Sequence, residues 1–299
     1  MKHNSLKIMA LSAVAFLTCF SGIIRHDVDE KEYLKLAEET QFDCVGRIFK
    51  DTSASGSCVL ISNRFVLSAA HVFIDTDTRP DTMEINGQTI TVFTPYNERV
   101  TDVNKLTLVF NGQKVKVKKL TLHPNYLDSL TKGSCDIALI ELEQPLKGIS
   151  PAKLNDAFDE LKSNVVGVGY GASGPADRPD LVDLLHKKIA GENVIDSIGG
   201  SELSGNGTIL LCDFDHPTRD DCNKMGSSVP RPLEYISTGG DSGGGLFRKN
   251  GNDWELIGIC GGAGGGIDLA QFMKTYYYGQ IMEWTRVAAF TEWIDEQTK

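Results

Sequence analysis

From Phe42 to Phe290 the chain alternates short apolar runs with turn-forming residues: CVGRIF, SCVLISNRFVLSAAH, TLVFNGQKVKVKKLTL, DIALIELE, NVVGVGYG, TILLC, GGGLFRK, WELIGIC and MEWTRVAAF. In KVKVKKLTL polar and apolar positions alternate, the period of a strand with one face buried and one in water. The Asn-Arg-Phe and Asn-Gly-Gln steps supply turn chemistry between runs. This texture predicts an all-β protein. Two segments change the period. DVDEKEYLKLAEET reads as a short helix, with Asp29 as cap and Glu32 three residues on, or as a disordered leader. RVAAFTEWIDEQTK sets Val287, Phe290 and Ile294 on one helical stripe. Stretches at 75–82, 172–180 and 213–233, rich in Pro, Ser and Asp, read as surface loops. The alternating carboxylates of DTDTRPD lack the glycine and distal glutamate of a calcium loop, so they read as a solvated turn. GVGYGASG lacks the following helix that a phosphate cradle needs.

Before the strand region, MKHNSLKIMALSAVAFLTCFSG opens with Lys2 and Lys7 and continues as an uncharged apolar run. That pattern is a secretory leader over residues 1–22 rather than a membrane anchor, because the run is short, carries Ser and Thr and ends in small residues. It predicts a secreted or periplasmic protein, with a further N-terminal segment at 23–41. The net charge of −10 argues against nucleic acid or an anionic membrane as the main partner. Glycine, 30 of 299 residues, is above the usual share and favours many tight turns. Of 7 cysteines, Cys19 leaves with the leader, so an even number remains for an oxidising compartment. Cys212 and Cys222 flank a polar loop and form the expected local bridge, whereas Cys135 and Cys260 lie in apolar runs and read as buried thiols.

The stretch TGGDSGGGLF surrounds Ser242 with glycines and places Asp241 before it. Glycines let backbone N–H groups approach a reacting atom, and a serine nucleophile needs a base held by a third group. No histidine follows Ser242, which excludes the nucleophile elbow of α/β-hydrolases, where the histidine comes last. His71 ends FVLSAAH, among small residues that would fix an imidazole. Asp136 opens DIALIELEQPL, and a carboxylate buried there needs a partner such as an imidazole N–H. His123, His186 and His216 lie beside turns or charges and read as surface residues. The order that results is His71, Asp136, Ser242.

On these residues the chain resembles the trypsin-like, chymotrypsin-fold serine proteases. LSAAH resembles their histidine motif, DIALIEL their aspartate motif, GDSGG their serine motif and GYG at 169–171 their Gly-Trp-Gly turn. LIGICGG is similar to their substrate-binding strand, and EWTRVAAFTEWI to their last strand and terminal helix. The resemblance implies a protease domain at 42–299, built as two antiparallel six-stranded β-barrels at about 42–147 and 160–287, with a C-terminal helix. It implies a serine endopeptidase acting on protein or peptide substrates, without cofactor or metal and without a membrane anchor once the leader is removed. The rival expectation is a catalytically inactive binding protein of the same fold.

The resemblance also assigns roles. Ser242 is the nucleophile, His71 the base and Asp136 its orienting acid, with the N–H groups of Gly240 and Ser242 as oxyanion hole. Ile236, Ser237, Gly261 and Met282 fall at the S1 pocket, implying an uncharged residue before the scissile bond unless Glu234 reaches in. Asp241 would pair with a new N-terminal ammonium, at Ile23 after trimming of the leader, although small-residue preference at the cut after Ser21 leaves Gly22 first. Val72, Thr238 and Gly245 depart from the usual cysteine, cysteine and proline, which puts the disulfide pattern in doubt.

Overall fold

The fold of the chain, seen in a computed structural model that describes residues 22–85, 88–128, 132–183, 187–200, 205–237, 239–263 and 274–299, turns nearly every apolar run into a strand. Strand β1 (Ile23–Ile24) leads into helix α1 (Glu30–Ala37). The Asp29 side chain accepts from the N–H of Lys31, the cap that the sequence implied, and Tyr33 and Ala37 bury one face. Next come β2 (Val45–Lys50), β3 (Ser53–Leu60), β4 (Phe65–Ser68), a hairpin of β5 (Ile74–Ile85) and β6 (Gln88–Val100), then β7 (Leu106–Phe110), β8 (Gln113–Leu122) and β9 (Ala138–Leu142). Six of these close a barrel in the order β2-β3-β4-β9-β8-β7. The inward members of each alternating run, such as Ile48, Leu108, Val117 and Ile140, fill it.

The second half comprises β10 (Lys153–Leu154), β11 (Asn164–Gly169), β12 (Gly174–Pro175), β13 (Ile189–Val194), β14 (Ser197–Gly199), β15 (Ile209–Asp213), β16 (Tyr235–Ile236), β17 (Gly245–Asn250), β18 (Asp253–Ala263) and β19 (Ile281–Arg286). Its main sheet runs β13-β11-β17-β18-β19-β15-β14, with β10 beside β18. The end strands β13 and β14 are separated in the chain by Ile195 and Asp196 alone, so the path starts and finishes on one bent stretch, and the sheet forms a half-barrel around Leu210, Leu246, Ile257 and Trp284. Helix α2 (Thr291–Thr298) closes the chain, and the stripe Val287, Phe290 and Ile294 is buried as its spacing demands. Among the described residues no helix is long and apolar enough to cross a membrane.

Two expectations are corrected. Residues 75–82 are not a loop but most of β5, paired with β6 in a two-stranded arm. Through residues 75–82 both faces of that arm meet water, so this stretch shows no apolar alternation, and Pro80 is tolerated where no third strand needs its missing donor. Its carboxylates are occupied locally: Asp75 by Lys50 and Thr101, Asp77 by Arg99 and Asn97. The second correction concerns sulfur. Cys44, Cys58, Cys135, Cys212, Cys222 and Cys260 are all buried free thiols, and Cys212 and Cys222 form no bridge. Their loop is closed instead by Asp213, whose carboxylate accepts from the N–H groups of Lys224 and Met225. Residues 1–21 of the leader, His186 and Thr238 lie outside the described residues.

Candidate active site

Strand β4 ends at Ser68, and a short 3₁₀ turn, Ala70–Phe73, follows. Ala69 and Ala70 are fully buried, and their small side chains let this turn pack closely at the base of the imidazole. Asp136 precedes β9 across the barrel, where it is 8% exposed. One of its oxygens accepts from the backbone N–H of His71 at 2.8 Å and the other lies 2.6 Å from His71 Nδ1. One carboxylate therefore fixes both the main chain and the ring of the same histidine. His71 Nε2 faces Ser242 Oγ at 2.8 Å. The hydroxyl of Thr285 in β19 donates to the carbonyl of Asp136 at 2.9 Å, tying the acid to the second half of the molecule.

Ser242 sits on a loop gripped from both sides. Ser57 of β3 donates its N–H to the Ser242 carbonyl at 2.8 Å, and Gly243 donates to the Cys260 carbonyl of β18 at 2.9 Å. The Ser57 hydroxyl donates to the carbonyl of Gly240 at 3.0 Å and accepts from the N–H of Tyr170 at 2.9 Å. Two glycines are required by geometry. Gly240 has φ +99°, and Gly243 has φ +85° with room for no side chain, since a Cβ there would lie 2.0 Å from Ser68 Oγ. Ser57 was missed in the sequence because a lone serine in a strand carries no signal.

Asp241, 1% exposed, turns away from Ser242. Its carboxylate accepts from the N–H of Gly171 at 2.8 Å and from the nitrogen of Gly22 at 2.7 Å. The residue beside it is thus Gly22, not Ile23. The pairing of β1 explains the difference: Ile23 is held opposite Gly174 and Ile236, with its side chain in the core of the second half.

The residues expected at S1 divide. Ile236, Ser237 and Met282 are buried and closed on one another, with the Ser237 N–H 2.8 Å from Met282 Sδ and the Cys260 thiol donating to Ser237 Oγ at 3.1 Å. Gly261 lies elsewhere, in a groove of about 270 Å³ with His71, Tyr126, Lys132, Asp136 and Glu283. A side chain at 261 would point to Asp136, 3.7 Å away. Burial, and then the Asp136 carboxylate, raise the pKa of Glu283.

Glu234 does not reach S1. Its carboxylate accepts from the N–H groups of Asp215 and Arg231 in a separate cavity of about 470 Å³ that Asp196 and Asp215 also line. Burial first, and neighbouring carboxylates second, push Asp215 up to about 7, and among the described residues Asp215 Oδ1 has no hydrogen-bond partner. Burial likewise takes Glu234 to about 8, against the two backbone donors. Among the described residues no group of three or more His, Cys, Asp or Glu is placed to hold a metal ion.

These raised values set a sign for stability. The folded state retains protons that the unfolded carboxylates release above about pH 4, so stability falls as pH rises through the folded values and levels off above them. Asp215→Asn, which mimics the protonated acid, is expected to flatten the decline in melting temperature between pH 5 and 8. At pH 8 it should gain on the order of 1–2 kcal/mol. An unchanged slope in thermal melts across that range would show that Asp215 ionises freely in the fold.

The family model for trypsin matches residues 35–294, which takes in both halves of the fold and every residue around Ser242. With the closed barrel, the half-barrel, the terminal helix and this extended match, the chain belongs to the trypsin family of serine proteases.

Proposed function

We propose that the protein is an endopeptidase that cleaves peptide bonds through an acyl-enzyme on Ser242. The observation that carries this reading is the unbroken chain Asp136–His71–Ser242, with contacts of 2.6 and 2.8 Å. His71 takes the Ser242 proton as Oγ attacks the carbonyl and returns it to the leaving amine. Asp136 keeps the Nδ1 proton on the inner face of the ring and stabilises the imidazolium. The N–H groups of Gly240 and Ser242 receive the oxyanion. Water then attacks the acyl carbonyl with His71 again as base, the ester bond to Ser242 Oγ breaks, and His71 returns the proton to Oγ as the carboxylic acid product leaves. The acyl side of the substrate lies along β18, and the leaving side extends towards β3.

The buried, uncharged Ile236, Ser237 and Met282, with the Ser237 N–H against the Met282 sulfur, support a small or medium uncharged residue before the scissile bond. A peptide library varied at that position tests this: the expected profile favours uncharged residues, and a dominant arginine preference would overturn it. Export through the leader, with the cut after Ser21, completes the reading. It delivers Gly22 as a free ammonium beside the Asp241 carboxylate.

A further inference from the structure

The outer face of the first barrel carries a row of side chains that begins at the catalytic loop. Residues directly opposite in an antiparallel sheet share a face, with Cβ atoms about 5 Å apart. Ser57 pairs with Arg47, Arg47 with Val109, and Val109 with Lys114. The row therefore runs from Ser57, whose hydroxyl holds the Gly240 carbonyl, outward across β2, β7 and β8, with cations at its second and fourth places. A parallel row adds Phe49, Thr107 and Lys116. Together with Tyr170, which reaches over from the second half, they enclose a concavity of about 660 Å³.

Arg47 is the centre of this face. Its guanidinium lies over the Phe49 ring at 4.7 Å, burial pulls its pKa down, and its Nε is buried with no hydrogen-bond partner among the described residues. Arg47 thus bears a partly desolvated charge with no counter-ion among the described residues, the condition in which an incoming carboxylate gains most. Lys114 is exposed, and Lys116 donates to Thr107. Among the described residues that line the concavity Asp51 is the single carboxylate, at the turn after β2. On a chain of net charge −10 this is a local positive field facing solvent.

The side of the scissile bond follows from the loop. The loop is bonded to β3 through the Ser242 carbonyl and to β18 through the N–H of Gly243, and with the acyl side of the substrate along β18, as in the proposed function, the leaving side extends towards β3. Arg47 stands two strand spacings from Ser242 on that side, about 10 Å, or roughly three residues of extended peptide. We propose that the face formed by Arg47, Lys114 and Lys116 is a leaving-group-side subsite that selects peptides bearing Asp or Glu at the second to fourth residue beyond the scissile bond. The inference rests on the endopeptidase reading.

The test uses internally quenched peptides, identical on the acyl side, with Glu, Gln or Lys at each of those three positions. An anilide with the same acyl side and no leaving-side peptide serves as control. For the wild type kcat/KM is expected to be roughly threefold to tenfold higher for Glu than Gln at one of the positions, the range of a half-buried charged hydrogen bond, and to shrink with salt. Arg47→Gln should erase the preference and leave anilide turnover unchanged, Arg47→Lys should retain part of it, and the exposed Lys114→Glu should weaken or invert it. Equal rates for Glu and Gln in the wild type overturn the subsite while leaving peptidase activity intact. A loss of anilide turnover in Arg47→Gln equal to its loss on peptides shows that Arg47 merely supports the catalytic loop. Absence of turnover on every substrate removes the endopeptidase reading and the subsite with it.

Discussion

Ser242→Ala and His71→Ala are each expected to lower kcat/KM on a peptide amide by about 10⁴ to 10⁶, and the double variant to lose little more. The nucleophile has no function without its base, so the two losses overlap instead of adding. Asp136→Asn should cost about 10³ to 10⁴, since the amide cannot keep the Nδ1 proton where the carboxylate holds it. Because Asp136 also accepts the backbone N–H of His71, this variant separates two roles. Circular dichroism should show all the variants folded. Kinetics on purified protein check the set, with residual rate in Ser242→Ala as the control for contaminating peptidase. Losses that multiply in the double variant would mean that His71 and Ser242 act independently.

The second large effect concerns the chain start. Protein beginning at Gly22 should be active, whereas protein beginning at Ile23, or with Met placed before Gly22, should lose about 10²-fold or more. In those forms the Asp241 carboxylate, 1% exposed, lacks an ammonium at the position of the Gly22 nitrogen. Withdrawing the positive charge from beside a buried carboxylate weakens the hold on the loop that presents Gly240, even with the Gly171 N–H still in place. The sign with pH follows. A paired α-ammonium has its folded pKa raised above the free value of about 7.7–8.0. The stabilisation is therefore complete below that value and fades as pH rises through the folded one. Activity and melting profiles of the three forms between pH 7 and 10 check this. Equal activity in all three would show that Asp241 is satisfied by Gly171 and its other neighbours alone.

Much of this was legible in the residues because strand period and nucleophile chemistry both leave local marks. KVKVKKLTL is half buried and alternates, and it is β8; FVLSAAH and DIALIEL are apolar up to their chemical residue, and they bring His71 and Asp136 together. What stayed hidden has no local mark. Residues 75–82 of β5 are wetted on both faces, so their charged sequence resembles a loop. Strand β13 carries Asn193 inward, where it is buried and donates to the carbonyls of Asp213 and Tyr235, which breaks the apolar pattern. The cysteine count implied bridges, yet bridging depends on which thiols meet in three dimensions, and here all six described thiols are buried and free. Ser57 and Arg47 acquire their positions only through strand register.

The most direct measurement of the central claim is intact-protein mass spectrometry after treatment of protein beginning at Gly22 with a fluorophosphonate, followed by peptide mapping. One adduct per chain is predicted, on Ser242, and none in Ser242→Ala or His71→Ala. An unlabelled wild type, or an adduct on another residue that persists in Ser242→Ala, would contradict the account.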